Sequence, residues 1–101
     1  TGIDFSAEEG TAIYAARDGV ALLGLSNMRS FGRHIVIDHG GGITTMYAHM
    51  SAFGGYEVGE KVGRGDIIGY VGSTGLSTGP HLHFEYQADG SARNPRLILP
   101  L

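Results

Sequence analysis

Five histidines stand in this chain, at His34, His39, His49, His81 and His83. Imidazole is the side chain that most readily ligates a transition metal, and the one that exchanges a proton near neutral pH. The pair in His81-Leu82-His83-Phe84 is the most suggestive. Side chains two apart in a strand share a face, so both imidazoles stand on one side, roughly 6–7 Å apart along the backbone. Leu82 and Phe84 then face the core. One ring of such a pair can bind a metal while its neighbour meets a water or a substrate. Asp4 lies in Gly2-Ile3-Asp4-Phe5. If that segment is extended, the carboxylate points away from its apolar neighbours, and carboxylate complements imidazole around zinc. His49 closes the run Tyr47-Ala48-His49-Met50. Taken singly, each has a plainer reading: an Asp in a turn, a histidine at a strand end, two histidines paired for structural reasons. His34 alternates with Ile35 and Ile37 and reads as structural or exposed. His39 precedes three glycines and reads as a side chain bonded to turn backbone.

The elements that position these residues read as short strands. Apolar or alternating runs occupy 11–16, 20–25, 34–38, 43–49, 67–71 and 81–86. Turns are expected at 17–19 and at 39–42, where glycine takes positive φ at no steric cost. Residues 26–32, 51–55 and 72–80 read as loops, and Asn94-Pro95 ends the regular structure. The alternation over 43–49 places Thr45, Tyr47 and His49 on one face, so Tyr47 reads either as lining the groove that holds His49 or as an ordinary tyrosine of an amphipathic strand. Glu85 shares the face of His81 and His83 and is expected to orient one of them. Glycine is 18 of 101 residues. Interior glycine costs a helix about 1 kcal/mol against alanine, so long helices are excluded. The expectation is an all-β, sandwich or barrel-like fold with little or no helix.

Composition narrows the function classes. One domain is implied by 101 residues. Seven basic against ten acidic residues give a net charge of −3, which excludes a broad basic face for nucleic acid. With no cysteine there is neither a thiolate metal site nor a cysteine nucleophile. No apolar run reaches membrane-spanning length.

Read together, Gly-Ile-Asp-Phe at the start, Gly-Thr-Ala-Ile-Tyr-Ala from Gly10, Tyr-Ala-His-Met from Tyr47 and Val-Gly-Ser-Thr-Gly-Leu-Ser-Thr-Gly-Pro-His-Leu-His-Phe-Glu from Val71 resemble the lysostaphin-type (LytM) zinc endopeptidases. The likeness runs from Thr1 to about Pro95, and the stretch Ser77 to Glu85 is its most specific part. It implies an antiparallel β core with a narrow groove and one Zn2+. It implies peptidoglycan stem peptide or cross-bridge as substrate, and a place in the cell envelope, periplasmic or extracellular. Carried over position by position, Asp4 and His83 match metal ligands, and His49 and His81 match the two catalytic histidines. The family's first ligand is the histidine of H-x-x-x-D, which falls one position ahead of Thr1. The expectation is therefore a single catalytic domain, 1–101, cut from a longer parent that carries that histidine and flanking regulatory segments.

The resemblance implies a zinc-activated water, with His49 or His81 taking its proton and protonating the leaving amine; the sequence leaves open which does which. Loops 26–32 and 51–56 are the expected groove walls. Two other classes compete. A degenerate relative would bind peptidoglycan or activate a partner hydrolase without cutting. A biotinyl- or lipoyl-type carrier is suggested by Gly59-Glu60-Lys61-Val62-Gly63-Arg64-Gly65-Asp66, but Lys61, the only lysine, lacks the Met-Lys-Met-like context of a modified hairpin tip.

Overall fold

The structure, a computed structural model, describes residues 3–24, 32–74, 79–89 and 91–93. Among these it contains nine strands and no helix. They are β1 (Ile3–Ser6), β2 (Ala12–Tyr14), β3 (Gly19–Gly24), β4 (Arg33–Gly40), β5 (Ile43–Phe53), β6 (Lys61–Val62), β7 (Ile67–Val71), β8 (His81–Ala88) and β9 (Ser91–Arg93). Every pairing is antiparallel, as expected from short strands joined by glycine turns. No described helix is long and apolar enough to cross a membrane.

The sheet runs β1-β8-β5-β4-β3-β6, with β9 on β8 and a second limb, β7-β2, branching from β5. The β4–β5 turn is made by Gly40, Gly41 and Gly42, at φ of 84°, 62° and 80°. Such values suit glycine because a Cβ would meet the backbone. β5 is the spine. One edge pairs with β4 from Ile43 to Met50. The other edge pairs with β8 over Ile43 to Ala48, then with β7 from Met50 to Phe53. The partner changes at His49, whose φ is +61°.

The two limbs close on one core. Ile13 of β2 and Ile68 and Val71 of β7 pack with Ile35 and Ile37 of β4, Tyr47 and Met50 of β5 and Phe84 of β8. Tyr47 and Phe84 are register partners, and their rings meet edge-on with centroids 5.1 Å apart. The expected groove position of Tyr47 is corrected: the side chain is 2 % exposed. Its hydroxyl accepts from Ala16 N–H at 3.0 Å and lies 3.0 Å from Thr45 Oγ1. Burial raises its phenol above the ordinary value. The physical reason is the positive φ at His49, which breaks the alternation that would otherwise have kept His49 and Tyr47 on one face.

Other expectations also need revision. Residues 51–53 are not a loop: they continue β5 and pair with β7. Lys61 lies in β6 opposite Val20 rather than at a hairpin tip, which does not suit a carrier lysine. The strand expected over 11–16 is confined to Ala12–Tyr14. His34 is buried and bonds Gly32 carbonyl at 2.9 Å, a structural role. The loop expected at 26–32 lies outside the described residues except for Gly32, as do 75–78 of the loop at 72–80 and the Asn94-Pro95 break.

If Tyr47 is a core anchor, Tyr47→Phe strands the Ala16 N–H and lowers stability by about 1–3 kcal/mol. Urea unfolding should show a reduced midpoint at unchanged slope. An unchanged midpoint would contradict this account of the residue.

Candidate active site

Three strands deliver the site. In register, Asp4 of β1 stands opposite His83 of β8, and Ala48 of β5 stands opposite the same histidine on the other side. Cross-strand partners share a face, so Asp4, His83 and Ala48 line one surface. His81, two residues earlier on the regular β8, joins them, opposite Ser6. Alanine at 48, fully buried, adds no bulk beside the His83 ring.

His49 arrives by a different route. Simple alternation from Tyr47 would send it into the core. Its left-handed backbone turns it to the other face instead, where its ring centroid lies 4.8 Å from that of His81 and 6.1 Å from that of His83. A non-glycine residue at positive φ is uncommon and costs on the order of 1–3 kcal/mol unless its surroundings hold it there. The surroundings here are specific. His49 Nδ1–H donates to Thr74 carbonyl at 2.6 Å, and Thr74 Oγ1 donates to Met50 carbonyl, the next residue along β5, at 2.7 Å.

The hydrogen bonds set the tautomers. A carbonyl only accepts, so a ring nitrogen facing one carries the proton. His49 Nδ1 faces Thr74 carbonyl, and His81 Nδ1 faces Gly79 carbonyl at 2.9 Å. In each neutral ring the basic lone pair is therefore on Nε2. His81 Nε2 lies 3.6 Å from Asp4 Oδ1.

His83 is held between two carboxylates. Nδ1 meets Asp4 Oδ1 at 2.7 Å and Nε2 meets Glu85 Oε2 at 2.8 Å. The orienting role expected of Glu85 is thus matched by its geometry. Burial disfavours the charged ring, but hydrogen bonds to Glu85 and Asp4, reinforced by their charges, outweigh it, and the His83 pKa is raised. The reciprocal bond from His83 lowers the pKa of Asp4; slight burial opposes this, and the nearby imidazoles add to the lowering. Asp4 is 64 % exposed, so the pair stands at the wall of an open groove and not in the core.

That groove, about 290 Å3, is lined by Asp4, Ser6, Gly79, Pro80 and His81. A larger hollow of about 610 Å3 lies elsewhere, beside Asp18, Asp38, His39 and Lys61. Its two carboxylates and its histidine are engaged by the fold. Asp18 and Asp38 accept from the N–H of Arg64 and Gly40, and His39 bridges Asp18 carbonyl and Thr45 Oγ1. The backbone bond expected of His39 is thus present, and the smaller groove is the one that adjoins the His49–His81–His83 cluster.

All four residues singled out in the sequence, Asp4, His49, His81 and His83, meet here. Among the described residues no group of three His, Cys, Asp or Glu side chains is arranged to hold a metal. The donor chemistry nonetheless fits an ion at one place: Asp4 Oδ1 and His83 Nδ1 face each other across a proton, and Glu85 fixes the far nitrogen of the same ring. Thr74 went unmarked in the sequence. Its carbonyl meets the His49 ring and its hydroxyl meets the backbone of Arg33 and Met50, and no spacing signals such contacts.

Comparison with known proteins agrees with the geometry. The sequence model of peptidase family M23 matches residues 1–95. The chain is 45 % identical over 95 residues to DD-carboxypeptidase/endopeptidase Mpg of Neisseria meningitidis serogroup B, covering 94 % of this chain and 21 % of that protein. It spans about a fifth of the length of the first curated relatives it matches. Among solved structures, the catalytic domain of lysostaphin from Staphylococcus simulans superposes with a TM-score of 0.85 at 35 % identity, over 95 % of this chain and 75 % of that one. A zinc-containing peptidase from Vibrio cholerae gives 0.84 at 33 % identity, over 91 % of this chain and 28 % of that one. With the family model matched along residues 1–95, nearly the whole chain, and a cluster of the expected residue types assembled from three strands, the chain belongs to peptidase family M23.

Proposed function

We propose that this chain is the catalytic domain of a zinc endopeptidase that hydrolyses peptide cross-links of bacterial peptidoglycan in the cell envelope. The observation that carries the reading is the meeting of Asp4, His49, His81 and His83, drawn from β1, β5 and β8, in one cluster beside an open groove. The similarity to enzymes named as peptidoglycan endopeptidases supports the substrate class.

In this reading Asp4 Oδ1 and His83 Nδ1 hold the zinc. Catalytic zinc sites take three protein ligands, so one further donor is required, which the family spacing assigns to the position four before Asp4. When bound, the ion supplies Lewis acidity toward a carbonyl and acidifies a water. Glu85 keeps the Nε2 proton of His83 in place, which leaves Nδ1 as the coordinating atom. His49 and His81 each present Nε2 as their basic atom, because Nδ1 is tied to a carbonyl in both. One Nε2 accepts the proton of the attacking water, and the other steadies the developing negative oxygen or passes a proton to the leaving amine. No serine or cysteine nucleophile takes part.

A turbidity assay on purified peptidoglycan with the full-length protein tests this. Loss of turbidity should stop on chelation and return with zinc. His49→Ala and His81→Ala should retain zinc while kcat falls by ~10²–10⁴-fold. Asp4→Ala and His83→Ala should lose the metal. Zinc-loaded protein that binds peptidoglycan without clearing it would replace this reading with that of a non-catalytic binding module.

Zinc must displace a proton from His83, whose pKa is raised. Below that pKa each unit of falling pH should weaken zinc binding by up to about tenfold, and above it the dependence should flatten. Asp4, with its lowered pKa, stays ionised and adds no proton competition until well below about pH 4. Calorimetric titration across this range reads the slope. Glu85→Gln should weaken zinc by about 10–100-fold. A pH-independent affinity would remove His83 from the ligand set.

A further inference from the structure

We propose that Thr74 is the positioning residue for His49, acting through a hydroxyl inserted into the β4–β5 ladder. The proposal deepens the reading above, since it rests on His49 as a proton-transfer group.

Arg33 and Met50 are register partners at the end of that ladder, and both bond the hydroxyl of Thr74. Arg33 N–H donates to Thr74 Oγ1 at 3.0 Å, and the same hydroxyl donates to Met50 carbonyl at 2.7 Å. The β4–β5 ladder shifts register here, between Arg33 and Ile35, and on the other edge of β5 the pairing with β7 shifts between Met50 and Ala52. A hydroxyl can do this because it gives one hydrogen bond while accepting others.

The wedge sits one residue beyond His49, and the carbonyl of the same threonine takes the His49 Nδ1 proton. A single residue therefore fixes the backbone beside His49 and the tautomer of its ring. The surrounding chain makes room for it. Gly32 is at φ +63°, and a Cβ there would overlap Thr74. Gly72 lies so close to β5 that a Cβ would come 2.5 Å from Ser51 N.

Without the hydroxyl, Arg33 N–H and Met50 carbonyl each lose a partner, and the backbone beside His49 rearranges to recover one. That rearrangement draws Thr74 carbonyl away from His49 and removes the constraint that placed the lone pair on Nε2. Thr74→Val keeps the side-chain shape and deletes the hydroxyl. Thr74→Ser keeps the hydroxyl.

The test uses the zinc-loaded full-length protein with 15N-labelled histidine imidazoles, His49 being assigned by its loss in His49→Gln. In the parent and in Thr74→Ser, His49 should be the Nδ1–H tautomer. In Thr74→Val it should shift toward a mixture, with kcat lower by ~10²-fold, KM and zinc content unchanged, and most of the rate recovered in Thr74→Ser. Thr74→Ala is read the same way should the valine variant fail to fold. An unaltered His49 tautomer and kcat in the hydroxyl-free variants would overturn the proposal. A tautomer that loosens as expected in a protein that never clears peptidoglycan would uphold the role of Thr74 and reject the peptidase reading instead.

Discussion

β5 serves two neighbours on one edge, and the change of partner falls at His49, where its backbone turns left-handed. Up to Ala48 the strand pairs with β8, and from Met50 it pairs with β7. The left-handed φ of +61° between them is what turns the His49 ring from the core side to the groove. Were that residue in ordinary extended geometry, its imidazole would follow Tyr47 toward Phe84. The site would then lose one of its four polar members, and the core would gain a polar ring. The local cost is on the order of 1–3 kcal/mol, and the bonds of Thr74 to Met50 and to the His49 ring supply an offset of similar scale.

A second constraint concerns charge. His83 sits with a carboxylate on each nitrogen, in partial burial that would otherwise favour the neutral ring. The Glu85 contact belongs to β8 itself, two residues along one strand face. The Asp4 contact needs the first and eighth strands in register. The polar cluster is thus half local and half tertiary, and the tertiary half is the more exposed one. A groove-facing pair in this state suits exchange of a proton for a cation, because the group that must be displaced is the one nearest water.

These features were unequally legible in the sequence. His81 and His83 share a face because β8 is regular, and a period of two needs no tertiary information. The turn at Gly40–Gly42 followed from residue type alone, whereas the backbone partner of His39 is a tertiary one, Asp18 carbonyl, 21 positions away. Asp4 could be placed only by resemblance, since nothing local shows that residues 79 apart will be cross-strand partners. Tyr47 was misplaced because alternation was carried unbroken through His49. Residues 51–53 resembled a loop because their partner, β7, reaches them only through the branch in the sheet. Both errors come from one cause: an exchange of neighbours on one edge of a strand leaves no mark in its own composition.

Glycine shows the same limit from the other side. High glycine content pointed to turns, and Gly40 to Gly42 bear that out. Gly69 and Gly72 have a different purpose. A Cβ at Gly69 would meet Ala52 carbonyl at 2.8 Å, and one at Gly72 would meet Ser51 N at 2.5 Å. These two glycines let the β7 limb lie against β5 where the partner exchange occurs, and only that approach brings Thr74 within reach of both Met50 and Arg33. Gly69 and Gly72 thereby shape the site without lining it. The requirement is for absent volume next to a strand whose ladder must stay open, and a larger residue would press on the same backbone that holds His49 in its left-handed turn.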